Sequence, residues 1–393
     1  MVAGRRRRAI AHILTFVLAT AWCLLLTLPA RAADTLAGAG AGIEEEYRAF
    51  ISSLPDEVVD RLPGDLFPSD VSTDFSRVAE GVAQMSSLSY LLETAGEILS
   101  VEWGTAWRIF ARTVGLLMIA AVAAALCRGF RSEALSRAVS LGVSCALLLG
   151  VIDTMYAQLQ KVVLFLSHLA QLVNALLPLM TALHLMGGNV AVAAAQNGSL
   201  MLFLTVCENV CATTLLPMAG LCLCLTVVGI LSPTLPLRSL SAWIKNSYAK
   251  TLGLLMLLLS FTLSAQTVLR AAADSLTARV AKFAAGNLIP VVGGALGDTL
   301  RTVASGVTFL KSTVGVGAMI ILLLLVMPVL IGLLLSRLSL RLSLTVAELL
   351  GCENEKGLLN ELWHIYGMLI AVVSVCCVML ILALTLFVRV STA

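Results

Sequence analysis

The sequence predicts an all-α, polytopic membrane protein with an N-terminal signal peptide and a short helical extracytoplasmic segment. Three observations predict it. Hydrophobic residues make up 59% of the 393 positions and charged residues 12%, about half the roughly 25% charge of a soluble domain. Mean hydropathy is +0.97, and several apolar runs exceed the roughly 20 residues that cross a bilayer. The few charges are segregated along the chain rather than scattered. This composition excludes an ordinary water-soluble enzyme. A net charge of +3 with 6% aromatic residues also offers a nucleic acid neither an electrostatic surface nor stacking platforms.

The amino terminus comes first. Arg5 to Arg8 precede an uncharged stretch from Ala9 to Leu28, followed by Pro29, Ala30, Arg31 and Ala32. A positive flank, an apolar stretch and small residues in an A-x-A arrangement are the pattern of a secretory signal peptide, assigned to 1–32, with an uncleaved anchor as the alternative because the stretch is long for an h-region. The residues behind it are carried across the membrane. Residues 33–108 contain fourteen acids against four bases, a local charge of −10, and read as an acidic extracytoplasmic segment. Ile43, Tyr47, Phe50 and Leu54 recur at helical spacing, and Phe75, Val78, Val82, Met85 and Leu92 form a second stripe behind Asp74, an expected N-cap. So short a segment makes a thin core alone. It reads either as a solvated cap on the membrane domain or as a docking surface for a partner.

From Ile109 onward nine acids face seventeen bases, a charge of +8. This polytopic membrane domain, 109–393, holds about eight expected spans: 109–127, 138–158, 162–186, 190–207, 210–231, 251–269, 312–336 and 364–388. With the acidic segment outside, the loop carrying Arg128, Arg131 and Arg137 and the one carrying Arg238, Lys245 and Lys250 both fall in the cytoplasm. Arg337 and Arg341 do so as well, as the positive-inside bias requires. The loop 270–311 strains this layout, because Arg270, Arg279, Lys282, Arg301 and Lys311 outnumber Asp274 and Asp298 on the outer side.

Inside that loop lies an uncharged run from Phe283 to Leu296. It is too short for a span and suits a re-entrant segment, placed at 283–297. Gly286, Pro290, Gly293, Gly294 and Gly297 are expected to interrupt a helix, and broken backbone at membrane depth survives only when buried in protein or lining a wet cavity. The candidate functional residues here are Lys282, Gly286, Asn287, Pro290, Gly293, Gly297 and Asp298. The plainer reading is a packing elbow, with Gly293 and Gly297 as a close-approach pair. Leu300, Val303, Val307 and Leu310 continue at helical period, as an interfacial helix would.

Arg112, Asp153, Lys161, Gln171, Asn174, Gln196, Asn197, Glu208 and Asn209 sit in or beside expected spans, and ionisable groups at depth mark pathways or buried pairs. Asp153 and Glu208 are the candidate intramembrane acids. Asp153 and Lys161 are expected to flank a turn between the second and third spans, and Glu208 one between the fourth and fifth. His168 and His184 are too far apart along one span to share a metal. The acidic segment holds none of the ten cysteines. Cys207 and Cys211 share a helix face but have no further ligand pair. No metal or cofactor site is expected, and neither a nucleotide-binding G-x-x-x-x-G-K-[ST] nor an H-E-x-x-H occurs. Gly294-Ala-Leu-Gly-Asp298 lacks the first glycine of the intramembrane aspartyl protease motif, where Ala295 stands. The reading is not an enzyme.

Lys282, Phe283, Gly286, Asn287, Pro290, Val291, Val292 and Gly293, then Asp298, Leu310, Lys311, Gly315 and Pro328, resemble the stage III sporulation protein AE family. The layout of signal sequence, exported segment and polytopic domain is similar as well. The resemblance implies a component of the sporulation channel linking mother cell and forespore, set in the mother-cell-derived outer forespore membrane and needed for late forespore gene expression. Its implied partners are the other membrane proteins of the stage III sporulation A complex and the forespore stage II sporulation protein Q, besides the lipid bilayer. The alternative is an autonomous small-solute permease using the broken segment 286–297. Many transporters carry a second, related broken helix, and Asn174-Ala-Leu-Leu-Pro178 is the nearest, weak counterpart.

Overall fold

The computed structural model describes residues 41–52, 75–129, 133–186, 213–231, 239–251 and 293–389, with isolated positions at 54–55, 59, 253–254, 256–257 and 261. Every described element is α-helical: α1 (Ala41–Ser52), α2 (Phe75–Met85), α3 (Leu88–Gly129), α4 (Glu133–Met186), α5 (Thr213–Leu231), α6 (239–251), α7 (Gly293–Leu349) and α8 (Glu353–Arg389). Four carry stretches long and apolar enough to cross a membrane: Leu88–Leu126, Gly142–Leu183, Ser312–Leu349 and Glu355–Thr385. The expected signal peptide, the span 190–207, most of the span 251–269, Glu208 and Asp74 lie outside the described residues.

Side-chain contacts fix the directions of α3, α4, α7 and α8. Lys161 of α4 reaches Glu102 of α3, while Gly150 of α4 backs onto Leu116 and Arg112, so α3 and α4 are antiparallel. Val82 of α2 touches Gly317 of α7, and Glu102 lies over Gly332, so α7 runs parallel to α2 and α3. A tight turn sends α8 back along α7. Gly351 has φ 69°, the left-handed conformation that only glycine adopts without strain. Its N–H reaches the Glu348 carbonyl, and the Cys352 N–H reaches Ala347, the paired bonds of a Schellman cap. The α3–α4 and α7–α8 hairpins therefore share one end of the bundle. Arg128 and Arg137 belong to the first hairpin, and Arg337 and Arg341 lie toward the same end of α7.

Two expectations are corrected by the long helices α4 and α7. Spans 138–158 and 162–186 are one 54-residue helix, and Asp153 and Lys161 flank no turn. Buried residues recur at helical period straight through the expected break, as Val151, Met155, Leu159, Val162, Leu166 and Leu169. No glycine or proline stands between Val151 and Leu177, and charge does not break a helix; it demands a partner. The second correction concerns Gly293, Gly294 and Gly297, which open the 57-residue α7 instead of interrupting a helix. The first N–H groups of a helix lack intrahelical partners in any sequence, so glycine costs little there. Leu300 to Leu310 form no separate interfacial helix but continue into the apolar stretch of α7.

A helix of this length is about 80 Å long. Even at a tilt of about 40° it covers roughly 60 Å, twice the roughly 30 Å of bilayer hydrocarbon. The bundle is accordingly divided in two by one level. Trp103 and Trp107 of α3, Tyr156 of α4, Trp243 of α6 and Trp363 of α8 gather beside Glu102, Lys161, Arg337 and Glu361. Tryptophan and tyrosine with charged neighbours form the belts found where membrane meets water. Toward the hairpins lie α3 from Ile109 and α4 up to Gln158. On the far side lie the remainder of α4 and the apolar stretches of α7 and α8.

The acidic segment does not stand apart from this bundle. Helix α3 runs unbroken through the boundary at 108/109, capped by Ser87, whose Oγ accepts the Tyr90 N–H at 3.4 Å. Helix α1 packs on α4 and α2 on α7. Tyr47, Phe50, Leu54, Val82 and Met85 join the core as the two stripes required, whereas Leu92 is 63% exposed. Burial pushes the Tyr47 phenol up to about 12, so it stays neutral in any physiological medium. Phe50→Ala should loosen α1 by about 3 kcal/mol. Amide exchange in 41–52 should accelerate while α7 and α8 keep their protection; unchanged exchange in α1 would show that this stripe does not hold it.

Candidate functional site

Lys161 is the sequence-singled residue that the structure makes most of. Its Nζ donates to Glu102 Oε1 at 2.8 Å. Glu102 is 7% exposed, and Lys161 keeps 45% of its side chain accessible. The second oxygen, Oε2, has no hydrogen-bond partner. The carboxylate fits because Gly332 of α7 has no side chain: a Cβ there would stand 2.7 Å from Oε2. One turn earlier on α7 is Pro328, which cannot donate to the ladder and opens it locally. Beside these groups is a cavity of about 170 Å³ lined by Glu97, Ile98, Val101, Glu102 and Pro328. All lie on the long apolar helices α3, α4 and α7, at the level of the aromatic belt, and a carboxylate as buried as Glu102 is costly there unless it is paired.

The polar level continues across the bundle. Gln158, one turn from Lys161, donates through Nε2 to Ser336 Oγ at 3.4 Å. The next residue, Arg337, lays its guanidinium 4.2 Å from the Trp363 ring centroid on α8, a cation–π contact that a short, desolvated stack strengthens. Gly367 makes room for it, since a Cβ would stand 3.1 Å from the Arg337 Nη2. Nearer the hairpins, Ser144 of α4 donates to Glu355 of α8 at 3.1 Å.

A second ion pair fastens α6. Lys245 Nζ donates to Glu361 Oε2 of α8, and Ser241 Oγ donates to the same oxygen at 3.3 Å. The two charged side chains are only 10% and 11% exposed. Tyr248 and Thr214 share a hydroxyl hydrogen bond of 3.2 Å, joining α6 to α5. Lys245, counted from sequence as a loop cation, is thus neutralised within a helix. It no longer contributes a free charge to the orienting loop.

The other expected site residues fare differently. Asp153 is exposed on α4 and has no ion pair among the described residues. Gln171 and Asn174 are also exposed. Gly293, Gly297 and Asp298 lie in the first turns of α7, while Lys282, Gly286, Asn287 and Pro290 fall outside the described residues. Cys222 is buried and Cys224 exposed. Among the described residues no three His, Cys, Asp or Glu side chains gather as metal ligands. Glu102, Gln158, Ser336 and Glu361 were missed. One signal pointed to Glu102: it lies between Val101 and Trp103 and is the last acid before Glu133, which follows the apolar run 109–127.

Removing one member of a buried pair strands the other, at about 3–5 kcal/mol when both are well buried. Lys245→Ala should therefore cost about that much in detergent-micelle unfolding. Lys161→Ala strands Glu102, which is as buried as Glu361, and should cost about as much. A loss under about 1 kcal/mol in either variant would contradict the burial of these carboxylates.

The comparisons with known proteins fit this bundle. Residues 70–391 match the stage III sporulation protein AE family. Stage III sporulation protein AE of Bacillus subtilis (strain 168) is 24% identical over 187 residues, covering 48% of this chain and 47% of that protein. In that match the chain spans about half the length of the curated relative. No solved structure matches. The family match takes in every described helix from α2 to α8, the polar level included, and the chain belongs to the stage III sporulation protein AE family.

Proposed function

We propose that this chain is a non-enzymatic integral membrane component of a sporulation channel complex linking mother cell and forespore, required for late forespore development and gene expression. The family match over 70–391 carries the reading. Its setting is the mother-cell-derived outer forespore membrane, with the basic hairpin end in the mother-cell cytosol. The signal peptide 1–32 exports the acidic segment. The partners are the other membrane proteins of the stage III sporulation A complex and forespore stage II sporulation protein Q, reached directly or through them.

The bundle's length supports a subunit over a free-standing permease. One bilayer covers one of the two apolar zones that α4 traverses. The other lies beyond Lys161, on the side of α1 and α2, where Leu164 is half exposed, and apolar surface outside lipid is what partners cover. The segment 283–297 is proposed as the element next to α7 that such assembly uses.

In sporulating cells of the native host, loss of this protein should abolish late forespore reporter activity while early forespore reporters stay on. Gly286 and Pro290 substitutions should lower the count of heat-resistant spores with membrane insertion intact. Normal late reporter activity in the null strain would overturn the reading, and full sporulation in both substituted strains would remove the role of 283–297.

A further inference from the structure

We propose that the exposed side of α3 next to the aromatic belt binds one anionic phospholipid, its phosphate on Arg108 and Arg112 and an acyl chain along Gly115, Ile119, Val122 and Leu126. The inference is independent of the sporulation reading and rests on the spacing, exposure and level of these residues. Each follows the last by three or four positions, which at about 100° per residue stacks them on one face of the helix. All six are exposed.

The two arginines need an anion. Neither has a hydrogen bond or ion pair among the described residues. Arg112 stands about 7 Å along the helix from Trp107 of the belt, inside the apolar run that begins at Ile109. A guanidinium at that depth is costly unless it reaches the interface or an anion. Gly150 of α4 leaves room for its stem, since a Cβ there would stand 3.6 Å from Arg112 Nε. Their spacing of four puts the two guanidinium groups on adjacent turns, within reach of one phosphodiester, which such groups grip through paired N–H donors. Asp153 is the one acid that α3 and α4 carry between Glu102 and the hairpin, and it forms no ion pair among the described residues. Two arginines against one acid leave a single positive charge. That charge favours a lipid with one uncompensated negative charge, such as phosphatidylglycerol, over a zwitterionic one.

Toward the hairpin the same face turns apolar and uneven. Gly115 has no side chain, and a Cβ there would meet no atom within 4 Å, so it opens a shallow slot between Arg112 and Ile119. Ile119, Val122 and Leu126 are each more than half exposed. Gly115 to Leu126 spans about 16 Å, the depth of one leaflet in a hydrocarbon core of about 30 Å. Gly104, equally open, leaves space for the rest of the headgroup on the water side of Arg108. A free phosphate would use the arginines alone. The slot and the apolar face beyond it add contacts that only a lipid fills.

The test uses the full chain in a neutral detergent, titrated with phosphatidylglycerol or phosphatidylcholine of equal chain length, with bound lipid counted by native mass spectrometry. The expected result is one phosphatidylglycerol retained per chain, at least tenfold more tightly than phosphatidylcholine. Arg108→Gln and Arg112→Gln should each lower the affinity at least threefold, and together at least tenfold. Gly115→Leu, which fills the slot and keeps both charges, should lower it at least threefold, and Asp153→Asn should leave it equal or higher. These positions are exposed, so the variants keep the fold, and an unchanged helical circular-dichroism spectrum checks that. Equal affinity for the two lipids overturns the proposal, as does unchanged affinity in the double arginine variant or a loss in Asp153→Asn. Displacement of the lipid by millimolar inorganic phosphate would show a free-anion site, and a dimer that forms on this face and excludes lipid would show a second copy there; either overturns it as well.

Discussion

The ion pair between Glu102 and Lys161 sets the register of the long helices. Apolar helices of this kind pack through leucine, valine and alanine surfaces that resemble one another from turn to turn. In a membrane, lipid tails compete with those contacts on nearly equal terms. Sliding α3 along α4 by one turn would exchange one apolar contact for another at little cost, but it would strand a carboxylate and an ammonium. Gly332 extends the constraint to α7, since only a residue without a side chain leaves the carboxylate its place. Gln158 with Ser336, and Arg337 with Trp363, repeat the restriction across α7 and α8. A few polar contacts thus decide how four long apolar surfaces meet.

Gathering those contacts at one level has a mechanical consequence. The level divides α4 into two apolar lengths, each comparable to a bilayer, joined by a stretch that must be wet or paired. Lys161 does both, with its ammonium on Glu102 and nearly half of its side chain accessible. The tryptophans at the same level supply amphipathic rings suited to such a boundary. Helix α6, fastened to α8 through Lys245 and Glu361, adds Trp243 to it. The hydrophobic zones beyond the belt on either side therefore have different surroundings, and a subunit of a larger assembly accommodates that difference more readily than a protein alone in lipid.

Much of the fold was legible in the residues. The periodic stripes of Tyr47, Phe50 and Leu54 and of Val82 and Met85 are core, as spacing required, and the apolar runs 109–127, 312–336 and 364–388 lie within long helices. The candidate site was legible only in part. Lys161 stood out as a charge among apolar residues, but it was read as the flank of a turn. The error has a physical root: a charge inside an apolar run is resolved either by a turn into water or by a partner on another helix, and hydropathy treats the two alike. Glu102 escaped notice for a related reason. Its local surroundings are amphipathic, and its burial comes from α4 and α7, which are distant in sequence.

Composition and charge order determined the class of this protein, because the cost of carrying charge through hydrocarbon depends on residue type and not on neighbours. Period determined which faces are apolar, because side-chain direction follows from helix geometry alone. The continuity of α4, the parallel course of α3 and α7, and the meeting of Glu102, Lys161, Pro328 and Gly332 required the folded chain. Each of these depends on contacts between residues far apart along the sequence, where local propensity is silent and where a buried charge finds, or fails to find, its counterpart.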